Sequence, residues 1–425
     1  MAEATGAPIG PLTGYRALDL TDEKGVLCGK ILADLGVDVI KLEPPGGDPA
    51  RRLGPFAEDI PNPERSLFWW AFNANKRSIT LDLTKPQGRD LFLRLVRVAD
   101  FIIESFVPGE LECLGLSYHT LAQVNPRVIL TSITPFGQTG PYATYRATDL
   151  VVMAMGGSMF LTGDADRPPV RIGYPQAFLH AAAEAAVGTL VAHYHRERTG
   201  EGQQVDVSAQ TAVVWTLMHE TSFPPLHNVH LERQGTHVSI SGLQRQMVFP
   251  CKDGYVSYLM AGGAMGGPSF RALVAWMAEE GMAPAFMGEK DWDAWDFAEL
   301  AADRERAQQE LDAIAEAMSR FFRRFTKAEL YEQALQRRLL LAPVTDMQDI
   351  LANAQLAARD FFVPVARPEL ARPVLHAGPF AKLSTTSIQL YRPAPRIGEH
   401  NAEIFTGELG LVPAALETFR QRGVI

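Results

Sequence analysis

The strongest constraint on this chain is the alternation of short β-branched runs with helical stretches between Arg16 and Ile133. Arg16–Leu20 (RALDL) reads as a strand, and Gly25–Leu35 as a helix ending at Gly36. Val37–Glu43 (VDVIKLE) and Arg77–Leu83 (RSITLDL) are strands. The second is followed by a helix with Pro86 near its first turn, where a missing N–H leaves no bond unmade. Ala99–Phe106 and Val128–Ile133 continue the pattern, with two short helical pieces between them. Apolar strands, each followed by a helix, call for a parallel sheet covered on both faces. The expected fold class is therefore α/β, with a Rossmann-like large domain.

Gln176–Thr199 reads as one long helix stopped by Gly200, with Leu179–Tyr194 expected to be buried. Gln203–Val207 is a strand, and Ser208 caps the helix after it. The texture changes at Ser222-Phe-Pro-Pro-Leu-His-Asn228, which breaks regular structure and reads as a linker. Beyond it, Gln246–Met260 is a hairpin turning at Asp253-Gly254. Helical segments rich in Ala, Glu and Arg dominate from there to about Leu340. The expected division is residues 1–221 as the first part of the large domain and 222–341 as linker and small α+β domain. Residues 342–425, with a proline-spaced tail, return to complete the large domain.

Other classes are excluded by what is missing. Forty Lys and Arg against 49 Asp and Glu give a charge of −9, and no basic domain stands out, so no nucleic acid partner is expected. Cys28, Cys113 and Cys251 are too scattered for a disulfide framework or a CxxC site, which fits a reducing cytoplasm. The N-terminal Met1–Pro8 stretch has neither a basic nor an apolar leader region, and no apolar run is long enough for a membrane span. No G-x-G-x-x-G follows any strand. Gly25-x-x-x-Gly29 and Gly262–Gly267 read as small-residue helix contacts or hinges. His227, His230 and His237 lack the partners of a zinc site, so no metal is expected.

What remains is a set of blocks in a specific order. Leu32–Arg51 (LADLGVDVIKLEPPGGDPAR) is a helix end, a strand and a polar turn carrying a cation. Asn73–Leu83 (NANKRSITLDL) follows, then Glu104–Gly109 (ESFVPG) at a strand's C-terminal end, Pro135–Tyr142 (PFGQTGPY), Arg198–Gln203 and Arg396–His400. Loops outside the carboxyl ends of parallel strands are where α/β sheets bind ligands, so Arg51, Lys76 and Arg77 are candidate phosphate contacts. In sequence, these blocks resemble the family III CoA-transferases, which include formyl-CoA transferase, carnitine CoA-transferase and α-methylacyl-CoA racemase. The resemblance runs from about Pro11 to Leu411 and is strongest from Ala33 to Gln203.

That resemblance implies a large domain built from both chain ends, a smaller inserted domain, and two subunits interlocked like links of a chain. It implies transfer of CoA between carboxylates through covalent aspartyl intermediates, with a CoA thioester as substrate and no metal. It also implies CoA contacts at Arg51, Lys76, Arg77, Leu81, Ser105 and Phe106. The family's nucleophilic Asp lies a fixed distance between Pro168-Pro169 and Thr199–Gln203, and Phe178 occupies its position. No carboxylate lies between Val170 and Glu184. The racemase branch's His-Asp pair is replaced by Thr148-Asp149. Cys113, beside Glu110 and Glu112, stands where many relatives carry a phosphate-binding cation, and Gly235–Gly242 replaces a glycine-rich loop.

Three readings follow. In the first, the chain is the non-catalytic subunit of a hetero-oligomer, completed by a related Asp-bearing chain, as in heteromeric members such as benzylsuccinate CoA-transferase. In the second, it is a self-sufficient homodimer using Asp149, Asp164, Asp166, His180 or Glu184. In the third, it binds CoA, or serves a structural role, without catalysis. His180 and Glu184 are four apart on a helix and are candidates to pair, and Asp149 has helix capping as its plainer role. Met153, Met155, Met159 and Phe160 are candidate walls of an acyl pocket. The expected chemistry is a succinyl-CoA donor with a hydrophobic or aromatic acid acceptor.

Overall fold

The computed structural model describes residues 10–240, 242–295 and 303–425. The Met1–Pro8 stretch read for a leader lies outside them, as does Ser241 of the Gly235–Gly242 segment. Two compact units divide the chain: residues 10–159, 171–229 and 354–425 form the first, and 160–170 with 230–353 the second.

The first unit is organised by six parallel strands: β1 (Arg16–Leu20), β2 (Asp38–Glu43), β3 (Arg77–Thr80), β4 (Phe101–Glu104), β5 (Ile129–Thr134) and β6 (Gln204–Ser208). Their order is β3-β2-β1-β4-β5-β6, the doubly wound arrangement expected of a Rossmann-like sheet. β3, β4 and β5 are buried along their whole length; β4 is apolar but for its terminal Glu104, while β3 and β5 also bury Ser and Thr, and β3 buries Arg77. The helices named here are α1 (Val26–Asp34), α2 (Leu67–Asn73), α3 (Pro86–Val96), α4 (Glu110–Cys113), α5 (Tyr118–Val124), α6 (Asp149–Met155), α7 (Ala177–Thr199), α8 (Ala209–Trp215) and α9 (Phe223–His227). One core layer gathers Leu32, Val39, Phe101, Ile129, Phe178 and Ala185, and another gathers Leu18, Ile40, Ile79, Phe92, Leu95 and Ile102.

Gly25 and Gly29 are small-residue contacts of α1. A Cβ on Gly29 would stand 2.2 Å from the Asp19 carboxylate and 3.1 Å from the Lys76 ammonium. The linker expectation is corrected at Ser222–Asn228: Phe223–His227 is a short helix, with prolines in the first turn, where they displace no hydrogen bond.

The C-terminal return segment has a definite task at the sheet's edge. β3 is an edge strand, and its outward groups would otherwise be unpaired. Ser78 N–H donates to His400 Nδ1 at 3.2 Å, His400 N–H donates to Ser78 O at 2.9 Å, and Thr80 N–H donates to Asn401 Oδ1 at 2.9 Å. The tail therefore continues the sheet with side chains and single backbone bonds. A two-stranded ribbon, β12 (Phe362–Val365) with β13 (Val374–Ala377), lies in the same return segment.

The second unit holds a hairpin of β7 (His237–Ile240) with β8 (Leu243–Gln246), and a sheet ordered β11-β10-β9. These three are Val248–Cys251 (β9), Gly254–Tyr258 (β10) and Leu341–Pro343 (β11). The β9–β10 turn falls on Lys252-Asp253, one residue before the expected position, because Cys251 pairs with Gly254. The expected boundary at 341/342 falls inside β11, whose pairing with β10 holds residues through 353 in this unit. Helix Gly263–Glu279 begins within the glycine cluster, and a Cβ on Gly266 would meet Ala261 O at 1.7 Å. Its aromatic core stacks Phe270 on Trp292 with centroids 4.3 Å apart.

Candidate active site

In a sheet ordered in this way the strand order reverses between β1 and β4, and the space outside their C-terminal ends is where such folds take ligands. The loops after those strands are joined directly. Ser105 Oγ donates to Asp22 Oδ1 at 2.8 Å, and Asp22 N–H donates to Ser105 Oγ at 2.9 Å. Ser105 is buried and Phe106 partly so. Leu81, after β3, is also buried, its N–H donating to Glu43 O at 2.7 Å.

The cations expected to face phosphates are turned inward. Arg51 is fully buried; it pairs with Glu43 at 2.6 Å and Glu64 at 3.0 Å and stacks 3.7 Å over the Trp69 ring. Lys76 is fully buried against Asp19 at 2.8 Å. Lys41, from β2, reaches Asp48 at 3.1 Å and Asp19 at 3.6 Å. Burial alone would depress the Lys41 ammonium, yet Asp48 and then Asp19 raise its pKa. Arg77 joins Asp38, Glu403 and Glu408 at 2.6 to 2.8 Å. The expected ligand contacts rested on loops at carboxyl strand ends, but Arg77 opens β3 and pairs with Asp38, the first residue of β2, at the amino edge of the sheet. The carboxylates that consume these cations range from Glu43, eight residues before Arg51, to Asp19 and Glu403, 57 and 326 residues from Lys76 and Arg77, and their proximity is created by the fold. Arg51 and Lys76 are therefore neutralised by carboxylates in the interior rather than exposed as free cations.

Phe178 sits in the first turn of α7, 8% exposed, and packs in the central core layer. Asp149 Oδ1 accepts the N–H of Ala177 at 2.7 Å, so this carboxylate caps α7 one residue ahead of Phe178. That is the plainer of the two roles expected of Asp149. His180 and Glu184 are exposed on α7, and no ion pair joins them within 4.0 Å. Asp164 and Asp166 are exposed residues of the second unit. The residues expected to wall an acyl pocket, Met153, Met155, Met159 and Phe160, differ in burial. Met153 is core, Met155 is 40% exposed, and Phe160 belongs to the second unit at 53% exposed.

One feature was missed in the sequence. Glu104, the last residue of β4, is 3% exposed, and its carboxylate accepts the Phe106 N–H at 2.7 Å. Burial pushes its carboxyl up to about 7, against the opposing pull of Ser132 and the Phe106 amide. The available signal was an acid ending an otherwise apolar strand. In the second unit, a cavity of about 300 Å³ is lined by His237, Gln244, Gln246, Leu311, Asp312 and Glu316. Among the described residues no group of His, Cys, Asp and Glu side chains is assembled to hold a metal ion.

A doubly wound sheet with its crevice at the β1/β4 reversal defines a ligand-binding α/β protein. More specifically, the chain belongs to CoA-transferase family III, whose profile matches residues 12–401. It is 35% identical over 412 residues to the succinyl-CoA:(R)-benzylsuccinate CoA-transferase subunit BbsE of Thauera aromatica, covering 97% of each chain. It is 32% identical to the succinyl-CoA–D-citramalate CoA-transferase of Chloroflexus aurantiacus over 98% of this chain and 99% of that one. It is 31% identical to a formyl-CoA:oxalate CoA-transferase of Streptomyces avermitilis over 97% and 99%. A CaiB/BaiF family protein from Brucella suis superposes with a TM-score of 0.77 at 28% identity, covering 94% of this chain and 99% of that one.

Proposed function

We propose that this chain is the non-catalytic subunit of a cytoplasmic, hetero-oligomeric family III CoA-transferase. The complex moves CoA from a donor thioester, succinyl-CoA, to a hydrophobic or aromatic carboxylic acid. A related subunit supplies the attacking aspartate. The observation that carries this reading is Phe178. An aromatic ring stands in the first turn of α7, where the family resemblance puts the nucleophile, and a ring has no lone pair with which to attack a thioester. The nearby acid Asp149 is engaged as the cap of the same helix. Two relatives are named for succinyl-CoA, and one of them is a CoA-transferase subunit.

In this reading, the thioester's CoA part lies in the β1/β4 crevice. Leu81, Ser105 and Phe106 frame it, and Arg51 and Lys76, paired with Glu43 and Asp19 near the carboxyl ends of β2 and β1, brace it, whereas Arg77 pairs with Asp38 at the amino edge of the sheet. Partner association draws on an exposed apolar surface. α7 carries Val187, Val191 and Tyr194 at 57 to 63% exposure, and Trp215 on α8 is 58% exposed. Exposed apolar side chains concentrated on helices that pack together mark an interaction face. This corrects the expectation that Leu179–Tyr194 is wholly buried: only the side bearing Ala181, Ala182, Ala185 and Thr189 is covered. The same face suits an interlocked pairing of two chains.

The decisive experiment is purification of the native complex, with mass spectrometry of its subunits and bound thioesters, and transferase assays of the chain with and without its partner. The expected result is activity only when an Asp-bearing relative is present. Full activity by this chain alone, surviving Phe178→Ala, defeats the reading in favour of a homodimer with another nucleophile.

A further inference from the structure

Among the described residues four carboxylic acids are buried: Asp19, Glu43, Asp48 and Glu104. Three of them face a cation. Asp19 has Lys76 at 2.8 Å, Glu43 has Arg51 at 2.6 Å, and Asp48 has Lys41 at 3.1 Å. Glu104 has no ion pair. Burial without a compensating cation shifts a carboxyl group toward its protonated form.

Its surroundings agree. A cavity of about 10 Å³, room for a single water, adjoins Glu104, and its polar lining is Ser132, Gln138, Gln204 and Glu112. β1 presents Leu20 as the register partner of Glu104, and β5 presents Ser132. β6 contributes Gln204, and the loop after β5 contributes Gln138. The charged groups acting on it are Glu112 and Glu110, both on α4 and both negative. The Glu104 carboxylate accepts the N–H of Phe106, so its state bears on the loop that holds Ser105 and Phe106 beside the crevice.

We propose that Glu104 is a proton-dependent positioning residue of the thioester crevice, which when protonated holds the Ser105–Gly109 loop for an anionic CoA thioester and when ionised repels it. This rests on the CoA reading above. The protonated carboxyl keeps one oxygen for the Phe106 N–H and gains a donor for Ser132 or Gln138. Ionisation releases one proton to solvent and leaves a third negative charge beside Glu110 and Glu112. Glutamine at this position is a permanently neutral isostere with both a donor and an acceptor.

The test is calorimetric titration with CoA at about pH 6 and about pH 8, on the chain in the complex it purifies as, for wild type and Glu104→Gln, with infrared pH-difference spectra of both. Wild type is expected to bind roughly tenfold more weakly at the higher pH, and Glu104→Gln equally at both. A protonated-carboxyl band should vanish from wild type over that interval and be absent from the variant. Glu112→Gln, which removes one repelling charge, should move the disappearance of that band to lower pH. Equal pH slopes in wild type and Glu104→Gln, or no band that the variant removes, overturn the proposal. If neither protein binds CoA at either pH, the CoA reading fails and takes the ligand half of the proposal with it. The infrared measurement then still decides whether Glu104 titrates.

Discussion

At the scale of single residues, the positions that matter are those whose chemistry departs from their surroundings. Phe178 is apolar where an acid is expected, and Glu104 is acidic where the strand is apolar. The latter has a consequence for stability. Its folded pKa of about 7 lies above the unfolded carboxylate value, so the native state binds more protons between the two. Stability from this group is complete below the unfolded pKa, near 4.3, and falls as pH rises toward the folded value. Urea unfolding of wild type and Glu104→Gln should therefore diverge from about pH 5 to about pH 8, with the variant gaining on the order of 2–3 kcal/mol relative to wild type. A constant difference between the two curves argues against a buried titrating acid. Phe178 was legible in the sequence because it fills a position in an ordered series of blocks. Glu104 was not, because exposed and buried acids at strand ends look alike until neighbouring elements are in place.

At the scale of elements, α7 shows how one helix serves three tasks. Its inner face of small residues lets it lie close to the sheet, its first turn carries Phe178, and its outer face is apolar. The cap from Asp149 closes one of the four orphan amides of its N-terminus. Asp149→Ala should cost about 1 kcal/mol in thermal or urea unfolding. In the assembled complex it should leave turnover within a few-fold of wild type, whereas an abolished rate with unchanged stability would make Asp149 a nucleophile after all. The strands and most helices were readable from periodicity, since β-branched runs and capped amphipathic stretches carry local signals. The short helix Phe223–His227 was not, because two prolines usually end helices and here they begin one.

At the scale of the whole molecule, the exposed side of α7 and α8 is the feature least compatible with an isolated chain. Val191→Glu places a charge at its centre and should reduce co-purification with the partner subunit by at least about tenfold, while leaving the chain's circular dichroism unchanged. Undiminished assembly would move the interface elsewhere. The sequence alone determined the α/β class and the family, and it carried the expectation that Phe178 stands at the nucleophile's position, because each rests on local pattern and fixed spacing. Only the tertiary structure decided the environment of each charge. It turned Arg51, Lys76 and Arg77 toward Glu43, Asp19 and Asp38, left Glu104 without a cation, and brought His400 and Asn401 onto the edge of β3. The reason is that these partners, from eight residues apart for Arg51 and Glu43 to more than three hundred for Ser78 and His400, are matched by packing, and nothing in the local spacing of the chain encodes which of them will meet.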